Sequence, residues 1–187
     1  MPIALWWVGT GSVDEQMLEE VRRQVEREFA QPVDLCRSDQ RPTGTLDAGR
    51  GQHSSRELLR WLVTARPSQY DRILGVTDVD LFIPVLTFVF GEAQLDGPAA
   101  VVSTMRLSQD VSRATAMSRL VKECVHEVGH TFGLVHCGLV ACVMTRSASV
   151  RAVDAKRARL CPECRARYRM VQDGLHVYRE HENPHRR

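Results

Sequence analysis

Three histidines and a glycine near residue 130 have the types and spacing of a hydrolytic zinc site. The stretch from His126 to His136 reads His-Glu-x-x-His-x-x-Gly-x-x-His, a pattern typical of metal-dependent proteases. Residues four apart lie one turn apart on the same face of a helix, so His126 and His130 can bind one ion. Gly133 can adopt the left-handed conformation that ends a helix, and His136 then returns from a loop. Three imidazoles leave the fourth tetrahedral position open for water, which predicts a catalytic zinc.

Glu127, which directly follows the first histidine, is the predicted general base. Zinc held by three neutral histidines lowers the pKa of bound water from about 15.7 towards about 7. Glu127 would accept the proton of that water during attack on a peptide carbonyl and pass it to the departing amine. The motif therefore predicts peptide-bond hydrolysis with Glu127 as the catalytic residue.

The motif helix has an apolar stripe, formed by Val121, Val125, Val128 and Phe132. This spacing predicts that one face of an amphipathic helix packs on the core while the metal ligands project elsewhere. A surface helix that carries two histidines and a glutamate by chance is the alternative for the short motif. The added glycine and third histidine favour the metal site.

Four of the six cysteines form two close pairs, which indicate a second, structural zinc site. Cys137 and Cys142 are followed, after 18 residues, by Cys161 and Cys164, and such pairs are typical of four-cysteine zinc sites. Two disulfides in an exported protein are the alternative, but the N-terminus lacks the basic start of a signal peptide. The remaining two cysteines are predicted to be small buried hydrophobic residues: Cys36 and Cys124.

Composition sets broad limits on the kind of protein. The chain has 187 residues and a formal charge of +2, enough for one domain with a sizeable core. Residues 1–150 carry 15 basic and 18 acidic residues, whereas 151–187 carry 10 and 5. No apolar run approaches the roughly 20 residues that span a bilayer.

 The prediction is accordingly a cytoplasmic, monomeric protein that binds peptide or protein substrates and neither membranes nor nucleic acid.

Elements before the motif helix alternate between strand and helix patterns. Strands are predicted at 3–9, 33–36, 72–76 and 99–105, with a further apolar segment at 82–90. Helices are predicted at 13–29 and 54–65, a polar loop at 38–51, and a C-terminal helix around 165–172. This order predicts an α/β (α+β) sandwich with a mixed, twisted sheet.

At this point the chain resembles the archaemetzincin family of the metzincin clan of zinc peptidases. The matching residues are His126-Glu127-x-x-His130-x-x-Gly133-x-x-His136-Cys137-x4-Cys142-x-Met144 and Cys161-x-x-Cys164. The family pattern has one residue more than the 16 that separate Met144 from Cys161 here. The resemblance implies a single metzincin-like domain over 1–187. Its upper part, 1–133, would end in the active-site helix, and its small C-terminal part, 134–187, would be held by the four-cysteine zinc.

The resemblance also implies roles for Met144 and for one strand. Met144 would be the Met-turn residue, whose side chain lies beneath the three histidines. A substrate cleft would run along a sheet edge, which we place at the strand around 99–103, where a bound peptide would pair with the backbone. Two zinc ions per chain are expected, one catalytic and one structural.

His136 and Cys137 are consecutive, so the two zinc sites are predicted to be coupled. On an extended segment their side chains point in opposite directions, and the structural ion would then fix the third catalytic ligand. In a different arrangement, Cys137 binds the catalytic zinc and displaces its water.

Two other functions stay open from the sequence. The histidine site could hold no zinc, leaving a non-catalytic protein stabilised by the four-cysteine zinc. The cysteines with Arg165, Arg167 and Arg169 could instead form a zinc-ribbon-like nucleic-acid module.

Several polar residues receive no role from the sequence. The residue that stabilises the oxyanion is not assigned; the candidates considered are Tyr168, His176 and Tyr178. Three further histidines are predicted at the surface: His53, His181 and His185. Asp78 and Asp80 are interpreted as a polar strand end.

Overall fold

The fold is a mixed α/β arrangement, seen in a computed structural model that describes residues 1–11, 14–37 and 40–174. The strands are β1 (Ile3–Trp7), β2 (Val33–Cys36), β3 (Leu46–Asp47), β4 (Gln52–Ser54), β5 (Arg72–Thr77), β6 (Leu81–Phe82), β7 (Gly91–Ala93) and β8 (Ala99–Ser103). The helices are α1 (Glu15–Phe29), α2 (Ser55–Ala65), α3 (Arg113–Thr131), α4 (Val150–Ala155) and α5 (Pro162–Gln172). The predicted α/β class is confirmed.

The larger sheet has five strands in the order β2-β1-β5-β8-β7. The first four strands are parallel, and β7 runs antiparallel to β8 with Gly91 opposite Val102. Our placement of the sheet edge at residues 99–103 is therefore wrong. Strand β8 lies between β5 and β7, so the edge beside the motif helix is the short strand β7.

The sheet is buried on both faces, because each parallel strand contributes side chains to two apolar clusters. In β1, Ile3 and Leu5 join the cluster formed with α1 and α3, whereas Ala4 and Trp6 join the cluster formed with α2. This alternation is the period of two expected for a strand covered by helices on both sides. The core thereby fixes α3 against one face of the sheet.

The predicted strands and helices are confirmed to within a few residues, and the differences lie in short elements. The predicted loop at 38–51 contains β3, and with β4 and β6 it contributes to a second sheet of three strands. The apolar segment 82–90 is mostly turn, and β7 follows it unpredicted. Strands of two or three residues are too short to show an alternating pattern. Cys36, predicted to be buried, is only half-buried, because β2 is an edge strand.

The C-terminal part packs into the same core as the sheet. The ring of Tyr168 on α5 lies edge-on to those of Phe29 and Phe132, with centroids 5.2 and 5.1 Å away. The carboxylate of Glu28 accepts a hydrogen bond from the Leu160 backbone N–H at 2.7 Å and forms an ion pair with Arg165. Contacts beyond the cysteines therefore attach this part to α1.

None of the helices in the described ranges combines the length and apolar character needed to cross a membrane.

Candidate metal centre and active-site cleft

Helix α3 carries the first two histidines and ends where the motif needs a turn. Its N-cap, Ser112, accepts a hydrogen bond from the Thr115 backbone N–H at 3.2 Å, which satisfies one unpaired donor of the first turn. The predicted apolar stripe is buried. Just beyond the helix, Gly133 has φ of 78°, a conformation that costs glycine little. The chain then turns back and places His136 beside the helix.

The three histidines converge on one point. One ring nitrogen from each of His126, His130 and His136 lies within 4.8 Å of the others. The Nε2 atoms of His126 and His130 are 3.1 Å apart. Two nitrogens that bind one tetrahedral zinc ion at the usual bond length lie about 3.4 Å apart. The arrangement therefore fits a zinc ion.

Backbone carbonyls orient the two helix histidines. Nδ1 of His126 lies 2.8 Å from the Val143 carbonyl oxygen, and Nδ1 of His130 lies 2.7 Å from that of Leu134. A carbonyl oxygen only accepts, so each Nδ1 must carry the proton, which leaves Nε2 with its lone pair towards the metal position.

The imidazoles are held in the neutral form that metal binding requires. Burial, followed by the charge of Lys156, lowers the pKa of His126 well below its usual value. Burial lowers the pKa of His130 to about 4. The pKa of His136 is lowered by burial and then by the positive charge of Arg146. Because metal ligands must be deprotonated, these shifts favour metal binding at neutral pH.

Glu127 is buried beside the histidines and against the edge strand. Burial, with the nearby charge of Glu123, raises the pKa of Glu127 well above its usual value. A Cβ atom built on Gly91 of β7 would lie 2.8 Å from Glu127 Cγ and 3.1 Å from its Oε1. The missing side chain at Gly91 therefore makes room for the Glu127 carboxylate.

Met144 is fully buried and lies beneath the motif helix. A Cβ atom on Gly129 would lie 2.5 Å from Met144 Sδ, so the glycine within the histidine motif lets the methionine approach the helix. The Met144 carbonyl accepts a hydrogen bond from the Cys137 N–H at 3.0 Å. This bond joins the methionine to the start of the cysteine pairs.

The four paired cysteines form a second cluster, with all sulfur atoms within 4.8 Å of one another. Sγ of Cys137 lies 3.9 Å from that of Cys161, and Sγ of Cys142 lies 3.7 Å from that of Cys164. Four thiolates at zinc-bond length in a tetrahedron lie about 3.8 Å apart. The cluster fits a structural zinc ion, distinct from the histidine site.

A cleft of about 540 Å³ opens over the histidines. One part of its lining comes from residues 83–95, which include β7, and it is mostly apolar, with Ile83, Leu86, Phe88, Phe90 and Leu95. The lining also includes Arg146, Ser147 and Ala148, which follow Met144. Glu123 and Glu127 of α3 line the same cleft. The cleft joins the metal position to a sheet edge.

A buried ion pair lies at the side of the cleft. Lys156 Nζ is 2.7 Å from Glu123 Oε1, and the lysine side chain is fully buried. The ammonium group also donates to the Thr145 carbonyl at 3.3 Å, while the Ser147 hydroxyl donates to Glu123 at 3.4 Å. Lys156 thus connects α3 with the segment after Met144.

Other residues considered from the sequence lie away from the metal centre or outside the described ranges. Tyr168 is buried in the aromatic cluster, where its hydroxyl donates to the Phe29 carbonyl. His53 is half-buried rather than exposed, and its Nδ1 lies 2.8 Å from the Thr45 hydroxyl. Cys124 is buried as predicted. Outside the described residues lie His176, Tyr178, His181 and His185.

The two aspartates after β5 hold loops in place. Asp78 accepts hydrogen bonds from the backbone N–H groups of Thr10 and Gly11, both at 2.7 Å. Asp80 forms an ion pair with Arg106 at 2.6 Å. These contacts agree with the interpretation of a polar strand end.

Sequence reasoning missed three residues of the cleft, Gly91, Glu123 and Arg146, and also Lys156, which pairs with Glu123. Glu123 precedes His126 by three residues and Glu127 by four, so helical spacing could have identified it. The other three lie on separate segments of the chain, and no local pattern marks them.

Comparison with known proteins agrees with this geometry. The sequence profile of peptidase family M54 matches residues 12–170. The chain belongs to peptidase family M54. This M54 peptidase is 47% identical to archaemetzincin of Methanopyrus kandleri over 115 residues, which are 62% of this chain and 65% of that protein. It is 35% identical to archaemetzincin of Methanocaldococcus jannaschii over 159 residues, covering 82% of this chain and 86% of that one.

Solved structures give the same assignment. The crystal structure of the Methanopyrus kandleri archaemetzincin matches with a TM-score of 0.84 and 34% identity, covering 92% of this chain and 96% of that one. A zinc-dependent peptidase from Methanocorpusculum labreanum matches with a TM-score of 0.77 and 28% identity, covering 89% and 99%. The resemblance drawn from the motif is confirmed, and the M54 peptidase is a zinc metallopeptidase, a hydrolase that acts on peptides or proteins.

Proposed function

We propose that this M54 peptidase hydrolyses peptide bonds at the three-histidine centre, with Glu127 as general base. His126, His130 and His136 would hold the catalytic zinc. Cys137, Cys142, Cys161 and Cys164 would hold a structural zinc, giving two zinc ions per chain. The observation that carries the proposal is a buried carboxylate next to three imidazoles whose nitrogens converge in an open cleft.

The residues divide the reaction between them. When bound, zinc lowers the pKa of a water molecule towards neutrality and polarises the peptide carbonyl. Glu127 accepts the proton of the attacking water and passes it to the departing amine. Burial raises the pKa of Glu127, which brings the carboxyl closer to the neutral pH at which a general base works best. Met144 supports the histidines from below as the Met-turn residue.

Strand β7 is the proposed docking edge for the substrate backbone. It ends the larger sheet and lines the cleft beside Glu127. An extended peptide can add to such an edge through main-chain hydrogen bonds. This replaces the strand around 99–103, which is internal.

The test is a peptide-library digest with zinc-loaded protein and with Glu127→Gln. We expect the variant to keep its zinc, because Glu127 is not a ligand, and to lose at least about 100-fold in kcat, the contribution typical of a general base. Unchanged turnover in Glu127→Gln would remove the residue from the mechanism.

Metal analysis separates the peptidase from a non-catalytic protein. For the peptidase, two zinc ions per chain are expected. If the chain instead holds one zinc ion, and that ion is lost when a cysteine of the cluster is replaced, only the structural site is filled and the non-catalytic alternative is supported.

The monomeric state, the cytoplasmic location and the absence of a nucleic-acid partner stay predictions. Two of the arginines considered for nucleic-acid binding already form ion pairs, Arg165 with Glu28 and Arg167 with Glu163.

A further inference from the structure

We propose that Arg146 recognises a carboxylate of the peptide substrate, either an acidic side chain or the free C-terminus. The proposal rests on the proposed peptidase function and adds a substrate preference to it. Arg146 lines the same cleft as His126, Glu127 and His136, and its side chain is exposed to solvent there. It follows Met144 by two residues, on a segment separate from β7 that lines the same cleft.

The other charged groups of the cleft already have partners. Glu123 is paired with Lys156 at 2.7 Å. Glu92 accepts a hydrogen bond from the Ser55 hydroxyl at 2.5 Å and lies 3.9 Å from Arg56. Glu127 lies next to the metal position. Arg146 has no ion-pair partner within the part of the chain that the structure describes, which leaves its positive charge available to a ligand.

Two other arginines of the chain show how a guanidinium group holds a carboxylate. Arg106 and Arg119 each hold an aspartate through two nitrogen–oxygen contacts, at 2.6–2.7 Å to Asp80 and 2.7–2.8 Å to Asp154. A guanidinium group presents its donors in a planar fork that matches a carboxylate. Arg146 offers the same fork to the cleft, next to Ser147 and Ala148 in the lining.

The experiment measures peptide binding to zinc-loaded Glu127→Gln by fluorescence anisotropy. One probe is a neutral, labelled octapeptide with an amidated C-terminus. A second set carries one glutamate at each position in turn, still amidated, and a third probe is the neutral peptide with a free carboxylate. The second and third probes distinguish an acidic side chain from the chain terminus as the source of the carboxylate.

We expect at least one carboxylate probe to bind about 10-fold more tightly than the neutral amide, as for a charge-assisted hydrogen bond of about 1.4 kcal/mol. When Arg146→Gln is added to Glu127→Gln, the carboxylate probes and the neutral amide should bind about equally well. Arg146→Lys, which keeps the positive charge, should keep part of the preference. Arg151→Gln is the matched control, because Arg151 is exposed on α4 and lies outside the cleft lining. It should keep the full preference.

Two results would overturn the proposal. One is a preference that survives Arg146→Gln, because the metal itself would then be the carboxylate receptor. The other is that zinc-loaded Glu127→Gln with Arg146 intact binds the carboxylate probes no more tightly than the neutral amide, or binds none of the probes. Hydrolysis by the wild-type protein is measured separately. Carboxylate binding that depends on Arg146 without hydrolysis would therefore count against the proposed function and not against this recognition.

Discussion

Gly91 and Gly129 shape the metal centre because neither position has room for a side chain. Gly129 admits the sulfur of Met144 beneath the helix, and Gly91 admits the carboxylate of Glu127 beside β7. At Gly91 an added Cβ would also lie 2.7 Å from the Val101 carbonyl oxygen. Since that atom belongs to the sheet backbone, the strain would be relieved most easily by movement of Glu127.

We predict that Gly91→Ala lowers kcat by about 10- to 100-fold, because a displacement near 1 Å can cost that much in a catalytic group. Zinc content should not change, since no histidine moves. Overpacking should also lower the free energy of unfolding by about 1–3 kcal/mol. Steady-state kinetics and metal analysis check this.

Gly138→Ala is the control for that substitution. A Cβ at Gly138 meets no atom within 4 Å, and its φ is not in the left-handed region. Equal kcat values for the Gly91→Ala variant and the Gly138→Ala control would contradict the role given to Gly91.

Between elements, the ion pair of Lys156 with Glu123 connects the end of α4 to α3. Both side chains are buried, so removal of one partner leaves an uncompensated charge in the core. We predict that Lys156→Met lowers the free energy of unfolding by about 3–5 kcal/mol. Urea unfolding measures the loss.

The double substitution Lys156→Met with Glu123→Gln tests the reason for that loss. It removes both charges, so much of the stability should return. If the double variant is as unstable as Lys156→Met alone, packing of the lysine chain and not the charge accounts for the effect.

A second link between elements joins the loop after β1 to the end of β5 through Asp78. Burial raises the pKa of Asp78, but the N–H groups of Thr10 and Gly11 outweigh this and hold it below the usual value of 3.8. A carboxyl with a lowered pKa in the folded state contributes stability above its usual pKa. That contribution is lost as the pH falls through the folded value.

We therefore predict that Asp78→Asn lowers the free energy of unfolding at pH 7 by about 1–3 kcal/mol. The difference from wild type should shrink as the pH falls below 3.8. Both proteins release metal in acid, so the comparison between them isolates Asp78. A gap that stays constant from pH 7 to pH 3 would contradict this account.

Across the whole molecule, one apolar cluster runs from β1 to α5 and includes Phe29, Met144, Cys142 and Tyr168. The cysteine cluster is thus attached to the same core as the histidine helix. His136 and Cys137 are adjacent in the chain, and the backbone bond from Cys137 to Met144 ties both clusters to the methionine. Within the described residues, this core joins the segments before and after the motif helix; the single domain over 1–187 stays a prediction.

We predict that Cys161→Ser lowers thermal stability and also weakens zinc binding at the histidines. Loss of the structural ion would free the segment that positions His136. Zinc content, competition with a chelator and a thermal unfolding curve measure the two effects. Cys36→Ser is the control, because Cys36 lies outside the four-cysteine cluster. Lower stability with unchanged affinity at the histidines would mean that the two sites are independent.

The sequence by itself determined the features that depend on local geometry. Two histidines one helical turn apart, a glycine that can take positive φ and two close cysteine pairs need only chain geometry to be recognised. Longer strands and helices follow in the same way from the period of their apolar residues. The candidate metal ligands and most of the α/β order could therefore be predicted, and the resemblance of the combined motif to a known family indicated the family.

Tertiary structure alone decided which strand forms the edge of the sheet and which distant residues reach the cleft. Strand β7 has three residues and no periodic pattern, and its place beside β8 depends on how the chain folds back. Lys156, at the end of α4, meets Glu123 of α3, and Arg146 lines the same cleft as the histidines because the Met144 segment packs against α3. Contacts between segments far apart in sequence depend on the packing of the whole chain, so no local pattern encodes them.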